Sequence, residues 1–194
     1  MQKLRSALIA AAAAAALVAT GAAAASLDSL VIHGAPAKKI HEKFALSIDA
    51  AKKIAAACVA YAQQHNVAVS VAIMDPFGEM IYFERMDGQG KLNTSTAILK
   101  AKTALVTRAS THLVMNNVLQ GNVSDFRAGY WNGEFANKGG LPIIAEDQFL
   151  GAIGVGGSNM DEECAQAGLE AVVGPQPPLV QNIPRRPAGA ANGG

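Results

Sequence analysis

Val67, Val69, Val71 and Ile73 alternate with Ala68, Ser70 and Ala72, and this β-branched run meets a turn signal at Asp75-Pro76-Phe77-Gly78. Proline presets φ at the second turn position and glycine tolerates positive φ, so the chain is expected to fold back through Met80-Ile81-Tyr82-Phe83. A second hairpin is read at 141–145 and 149–155, around Glu146-Asp147-Gln148. Hairpins join antiparallel neighbours, so an all-parallel sheet is excluded. Helices fill the intervals. Ser47 caps the first, with Asp49 in its first turn and Ile54, Cys58, Tyr61 and Ala62 on one stripe; His65-Asn66 ends it. Asn93 is expected to cap a second helix over 94–108, a shorter helical piece follows through 113–119, and Ser158 is expected to cap a last one ending near Val172. Asp161 takes the capping-box position of that helix. The fold class is α+β: an antiparallel sheet of two hairpins with packed helices, in one domain.

The 194 residues are 51% hydrophobic, with 16 Lys+Arg against 15 Asp+Glu. That length suits one domain with tails, the apolar content excludes a disordered polyelectrolyte, and the balanced charge gives no footprint for nucleic acid. Lys3 and Arg5 precede an apolar run over 7–19 that ends in Ala22-Ala23-Ala24-Ala25. A basic start, an apolar centre and an Ala-x-Ala end read as a signal peptide over 1–25. The competing membrane anchor is disfavoured because alanine offers little apolar area to lipid. The mature protein is therefore expected to be periplasmic or secreted, with no membrane attachment after cleavage. Residues 26–46 read as an N-terminal arm, 47–173 as the α+β domain, and 174–194 as a disordered Pro/Gly-rich tail. In an oxidising compartment Cys58 and Cys164 read either as a disulfide or as two small buried hydrophobes.

Few residues announce chemistry. The Gly151-Ala152-Ile153-Gly154-Val155-Gly156-Gly157-Ser158 run follows a strand and opens a helix, but it lacks the dinucleotide spacing and any phosphate-loop lysine. It reads as close strand–helix packing rather than an anion cradle. His33, His41, His65 and His112 lack the spacing of zinc ligands; only His112, beside an aromatic-rich stretch, invites a functional role. Asp75, Glu79, Glu84 and Asp87 border the first hairpin, and Asp161, Glu162 and Glu163 read as helix-start acids. Lys100 and Thr103 share a helix face with Thr96 and Thr107, whose hydroxyls either bond back to helix carbonyls or line a pocket. Residues 121–140 read as a long irregular loop, in which Phe126, Tyr130, Trp131 and Phe135 must cover something: the body of the domain, another subunit or a ligand.

Several segments together resemble the GlcG/HbpS family, which includes haem-binding extracellular proteins and a domain attached to some cobalamin adenosyltransferases. They are Val69-Ser70-Val71-Ala72-Ile73-Met74-Asp75, Phe83-Glu84-Arg85-Met86-Asp87-Gly88, Lys100-Ala101-Lys102-Thr103-Ala104, Gly139-Gly140-Leu141-Pro142-Ile143, the glycine run at 151–157, and Asp161-Glu162-Glu163-Cys164-Ala165. The resemblance implies a profilin-like or PAS-like domain, a homo-oligomer, and haem or another tetrapyrrole as ligand. It places Thr103 at a haem iron. Lys100, Arg85, Trp131, Tyr130 and His112 are the further expected contacts, with Lys100 toward a propionate. The alternatives are an enzyme on a small organic, possibly aromatic-derived, acid, with Arg85 or Lys100 gripping the carboxylate and Asp75 or Asp87 carrying a proton, and an accessory module binding a partner protein.

Overall fold

The structure is a computed structural model that describes residues 46–184. The expected signal peptide, residues 26–45 of the expected arm with His33 and His41, and the chain beyond Pro184 lie outside those residues. The elements are α1 (Ile48–Gln64), β1 (Ser70–Met74), β2 (Met80–Arg85), α2 (Lys91–Thr107), α3 (Thr111–Leu119), α4 (Val123–Asn132), β3 (Gly140–Ala145), β4 (Gln148–Gly156) and α5 (Asp161–Val172). The four strands form one sheet in the order β2-β1-β4-β3, antiparallel throughout. The expected α+β architecture is present. In the first turn the Asp75 carboxylate accepts hydrogen bonds from the Phe77 and Glu79 amides. In the second, Glu146 and Asp147 both adopt positive φ, which suits the twist of a two-residue hairpin.

Alternation along β1 divides the core between two sheet faces. Val71 and Ile73 join Ile153, Val155 and Ile143 in the main core under α1 and α5, whereas Ala72 and Met74 meet Ala97 and Ala101 of α2 on the other face. The α2 face is built from small residues because the helix lies directly on β4. A Cβ on Gly154 would sit 2.1 Å from the Ala97 carbonyl oxygen. The glycine run is thus a packing device, as expected. Cys58 and Cys164 are disulfide-bonded, joining α1 to α5 beneath the sheet.

Three local expectations are corrected. Helix α2 starts at Lys91 with Gly90 as its N-cap; Asn93 lies inside it and donates its side-chain amide to Gln89. Met160, not Ser158, is the N-cap of α5, although the Asp161 carboxylate does reach back to the Ser158 amide. Residues 123–132 are a helix rather than a loop, capped by Asn122, whose side chain accepts from the Ser124 and Asp125 amides, and ended by Gly133 at positive φ. It buries none of its residues and exposes Phe126, Tyr130 and Trp131. Residues 174–184, part of the expected tail, carry no helix or strand, and α3 donates to them: Asn116 to the Gln181 carbonyl and Gln120 to the Pro184 carbonyl. Leu179 packs against the main core.

Candidate functional site

Lys100 is the buried cation of the domain's α2 face, 3% exposed. Its Nζ donates to the Val155 carbonyl at 2.9 Å and to Asp161 Oδ2 at 2.6 Å, while Asp161 Oδ1 accepts from the Ser158 amide at 2.8 Å. Helix α2, the end of β4 and the start of α5 are thereby tied at one point. The backbone before β3 crosses directly above it: a Cβ on Gly139 would lie 2.7 Å from Asp161 Cβ and 3.1 Å from Lys100 Nζ, and Gly139 has a φ of +112°. Only glycine fits there.

Lys100 and Asp161 form the floor of an open cleft of about 450 Å³, walled by Leu92, Asn93, Thr96, Phe135, Asn137 and the turn 157–159. An ammonium carries three donors, and two of Lys100's are engaged within the fold.

Thr103 does not reach this cleft. It is 1% exposed, its hydroxyl donates to the Leu99 carbonyl and accepts from the Phe135 amide at 2.7 Å, so it fixes the segment that carries Phe135. Thr96 and Thr107 likewise bond back to α2 carbonyls, and Thr96 also lines the cleft. Arg85 is exposed at the end of β2, and Tyr130 and Trp131 meet edge-to-face, their ring centroids 5.3 Å apart, on the exposed side of α4. Neither cavity described here includes Thr103, Arg85, Tyr130, Trp131, His112, Asp75 or Asp87 in its lining. Of the six expected contacts, Lys100 is the one in the lining of either of these two cavities.

His112 belongs to a different place. It is 1% exposed; its Nδ1 pairs with Glu162 Oε2 at 2.8 Å and its Nε2 with Asn182 Oδ1 at 3.1 Å. Burial pushes the Glu162 carboxyl above its ordinary pKa, an effect that His112, Ser110 and Lys138 partly offset. Glu162 lines a second cavity of about 490 Å³, between β3, α3, α5 and the proline-rich segment 175–180. Its walls are aliphatic and its charged groups, Glu146, Asp147 and Glu162, are all acidic. Among the described residues no cluster of three or more His, Cys, Asp or Glu side chains could hold a metal ion.

The sequence missed the pairing partners of its own candidates. Asp161 was legible as inward-facing, since it shares a helical stripe with Cys164, Ala165 and Gly168, but nothing local assigns it to Lys100. Glu162 shares a stripe with Ala165 and Leu169 in the same way, and nothing local assigns it to His112.

A family model described as haem degrading protein HbpS-like matches residues 46–170. Protein GlcG of Escherichia coli is 31% identical over 113 residues, covering 58% of this chain and 82% of that protein. Among solved structures, a double mutant of HbpS from Streptomyces reticuli superposes with a TM-score of 0.61 at 29% identity, covering 72% of this chain and 92% of that one. A complex of PduOC with haem gives 0.61 at 26% identity, covering 66% and 96%.

Proposed function

The chain belongs to the HbpS-like family, and from that premise we propose that it is an exported, oligomeric protein that binds haem or a related tetrapyrrole without turning it over. The observation that carries this reading is a cleft whose lining brings the Lys100 ammonium together with the Phe135 ring. A tetrapyrrole is a flat apolar disc with carboxylates along one edge, and a cation facing an aromatic wall suits that edge and face. The acidic cavity does not, because three carboxylates would repel propionates.

The fit to haem is specific in what it covers. Lys100 and Phe135 would hold the carboxylate edge and the ring. The cleft lining contains no His, Cys, Met or Tyr, so it offers the iron no strong axial ligand. Binding is accordingly placed in the porphyrin and its carboxylates. Asp161 has both oxygens engaged, by Lys100 and Ser158, and Asp75 and Asp87 lie away from the cleft, so the acid-transforming enzyme lacks its proton carrier beside Lys100.

Two observations support the wider reading. The Cys58–Cys164 bond suits an oxidising compartment, in agreement with the leader read in residues 1–25. The exposed Phe126, Tyr130 and Trp131 on α4 offer an apolar face that another copy of the chain would cover.

The test is a titration of the mature protein with haemin and with metal-free protoporphyrin IX, read by the Soret band. Both are expected to bind, within about threefold of each other, since the iron contributes little. Phe135→Ala is expected to weaken both. Haemin binding with no protoporphyrin binding would move the site to an iron ligand elsewhere, and a free-ligand spectrum in both titrations would end the reading. Intact mass beginning at Ser26 and light scattering at several chain masses check export and assembly.

A further inference from the structure

We infer that the cavity beneath the 175–180 segment is a second binding site, for an apolar molecule carrying a protonated primary amine.

Aliphatic side chains from several elements make its walls: Leu141 and Ile144 from β3, Leu113 from α3, and Leu179 and Val180 from the C-terminal segment. Its volume of about 490 Å³ lies within the range of small-molecule sites. A dry aliphatic hole with no polar demand would take any apolar guest. This one has a demand. Gln166 Oε1 is a buried acceptor with no hydrogen-bond partner, the Glu162 carboxylate beside it meets His112 and the Ser110 hydroxyl, and both residues line the cavity. They stand one turn apart on α5, a spacing that puts them on the same helix surface. The orientation of Gln166 is fixed, because its Nε2 donates to Glu170 at 2.7 Å, which leaves the oxygen as the free end.

A bare amide oxygen beside a carboxylate, which has lone pairs beyond those already engaged, calls for a group with at least two N–H or O–H donors. Charge selects among such groups. The carboxylates of Glu146, Asp147 and Glu162 are in the lining and no Lys, Arg or His is, so a cationic head is favoured and an acid is repelled. An ammonium satisfies both requirements, while its apolar body lies against Ile144, Leu113 and Leu179. The outer wall closes the site from the C-terminal side. Asn182 is tied to His112, and His112 to Glu162, so the acceptor at the head of the ligand and the segment over its body share one hydrogen-bonded chain.

Isothermal titration of the intact mature protein at neutral pH with phenethylamine, phenethyl alcohol and phenylacetate tests this. The amine is expected to bind at least about tenfold more tightly than the alcohol, and the acid not at all. Ile144→Trp places a ring in the cavity from a partly exposed position that tolerates it, and should abolish amine binding with the far-UV spectrum unchanged. Glu162→Gln, if folded by the same criterion, should bring amine and alcohol to equal affinity. Equal binding of all three probes, no amine binding at millimolar concentration, or undiminished amine binding by a folded Ile144→Trp protein would each overturn the proposal.

Discussion

Lys100 Nζ and Asp161 Oδ2 lie 2.6 Å apart, and the two side chains are 4% and 7% exposed. A buried pair of this kind contributes little net stability against an apolar replacement, yet removing one member strands the other charge. Lys100→Met is therefore expected to cost about 3–5 kcal/mol, measured by urea denaturation. Asp161→Asn keeps an acceptor for the Ser158 amide, so adding it to Lys100→Met should recover a substantial part of that loss. If the double variant is no more stable than Lys100→Met, the stranded charge is not the cause. Both proteins should lose tetrapyrrole binding, since neither has the ammonium in the cleft.

The Cys58–Cys164 bond spans 106 residues of sequence. Closing so long a loop restricts the unfolded chain strongly, and removing such a bond typically lowers stability by about 2–5 kcal/mol. The Cys58→Ala/Cys164→Ala protein is expected to show a midpoint shift of that size, as is wild type in the presence of a reductant. A reductant effect on wild type that persists in the double alanine protein would trace the loss to something other than this bond.

The sheet and its antiparallel sense were legible because the hairpin turns carry local chemistry: Pro76 and Gly78 in one, Glu146 and Asp147 in the other. Helix α4 was not, although Asn122 and Gly133 are ordinary start and stop signals. It buries no face, so it has no 3.6-residue period to read. Contacts of the proline-rich segment were hidden for the opposite reason. Its prolines do forbid regular structure, but the carbonyls of Gln181 and Pro184 find donors on α3, a tertiary fact that composition does not carry. At the site, Lys100 was read as a pocket residue and stands in the lining of the α2 cleft, and its partner Asp161 was read as a capping acid. The Asp161 carboxylate does both: one oxygen reaches the Ser158 amide and the other meets Lys100, 61 residues away in sequence. Only the first of those contacts is local enough to be inferred.

Gly154 makes a sharp test of the packing between β4 and α2. A Cβ there would sit 2.1 Å from the Ala97 carbonyl oxygen and 2.3 Å from the Ala101 amide, both backbone atoms that cannot move without shifting the helix. Gly154→Ala is expected to cost at least about 3 kcal/mol or to prevent folding. Gly90→Ala is the matched control. Its Cβ would meet nothing within 4 Å and its φ is negative, so the change should cost about 1 kcal/mol or less, the loss of a weak N-cap. Thermal unfolding of the two proteins side by side measures the difference.

The last prediction concerns pH. Burial holds the Glu162 carboxyl above its ordinary pKa, against the opposing pull of His112, Ser110 and Lys138. The folded protein therefore binds this proton more tightly than the unfolded chain does. Between the unfolded value and the raised native one, the native state carries more protons, so stability falls as pH rises through that window. Below it the contribution is fully present, and above it the buried charge is a standing cost. Carbon-13 detection of the Glu162 carboxyl should place its midpoint above 4.5, the ordinary value. Replacing the group by an uncharged amide removes the proton but also alters the bond to His112, so the slope, not the absolute stability, is the readout. Unfolding free energies of wild type and Glu162→Gln should converge toward the acid side of the window and diverge above it, with wild type the more strongly pH-dependent. Parallel curves, or a midpoint below 4.5, would show that the partners of Glu162 outweigh its burial.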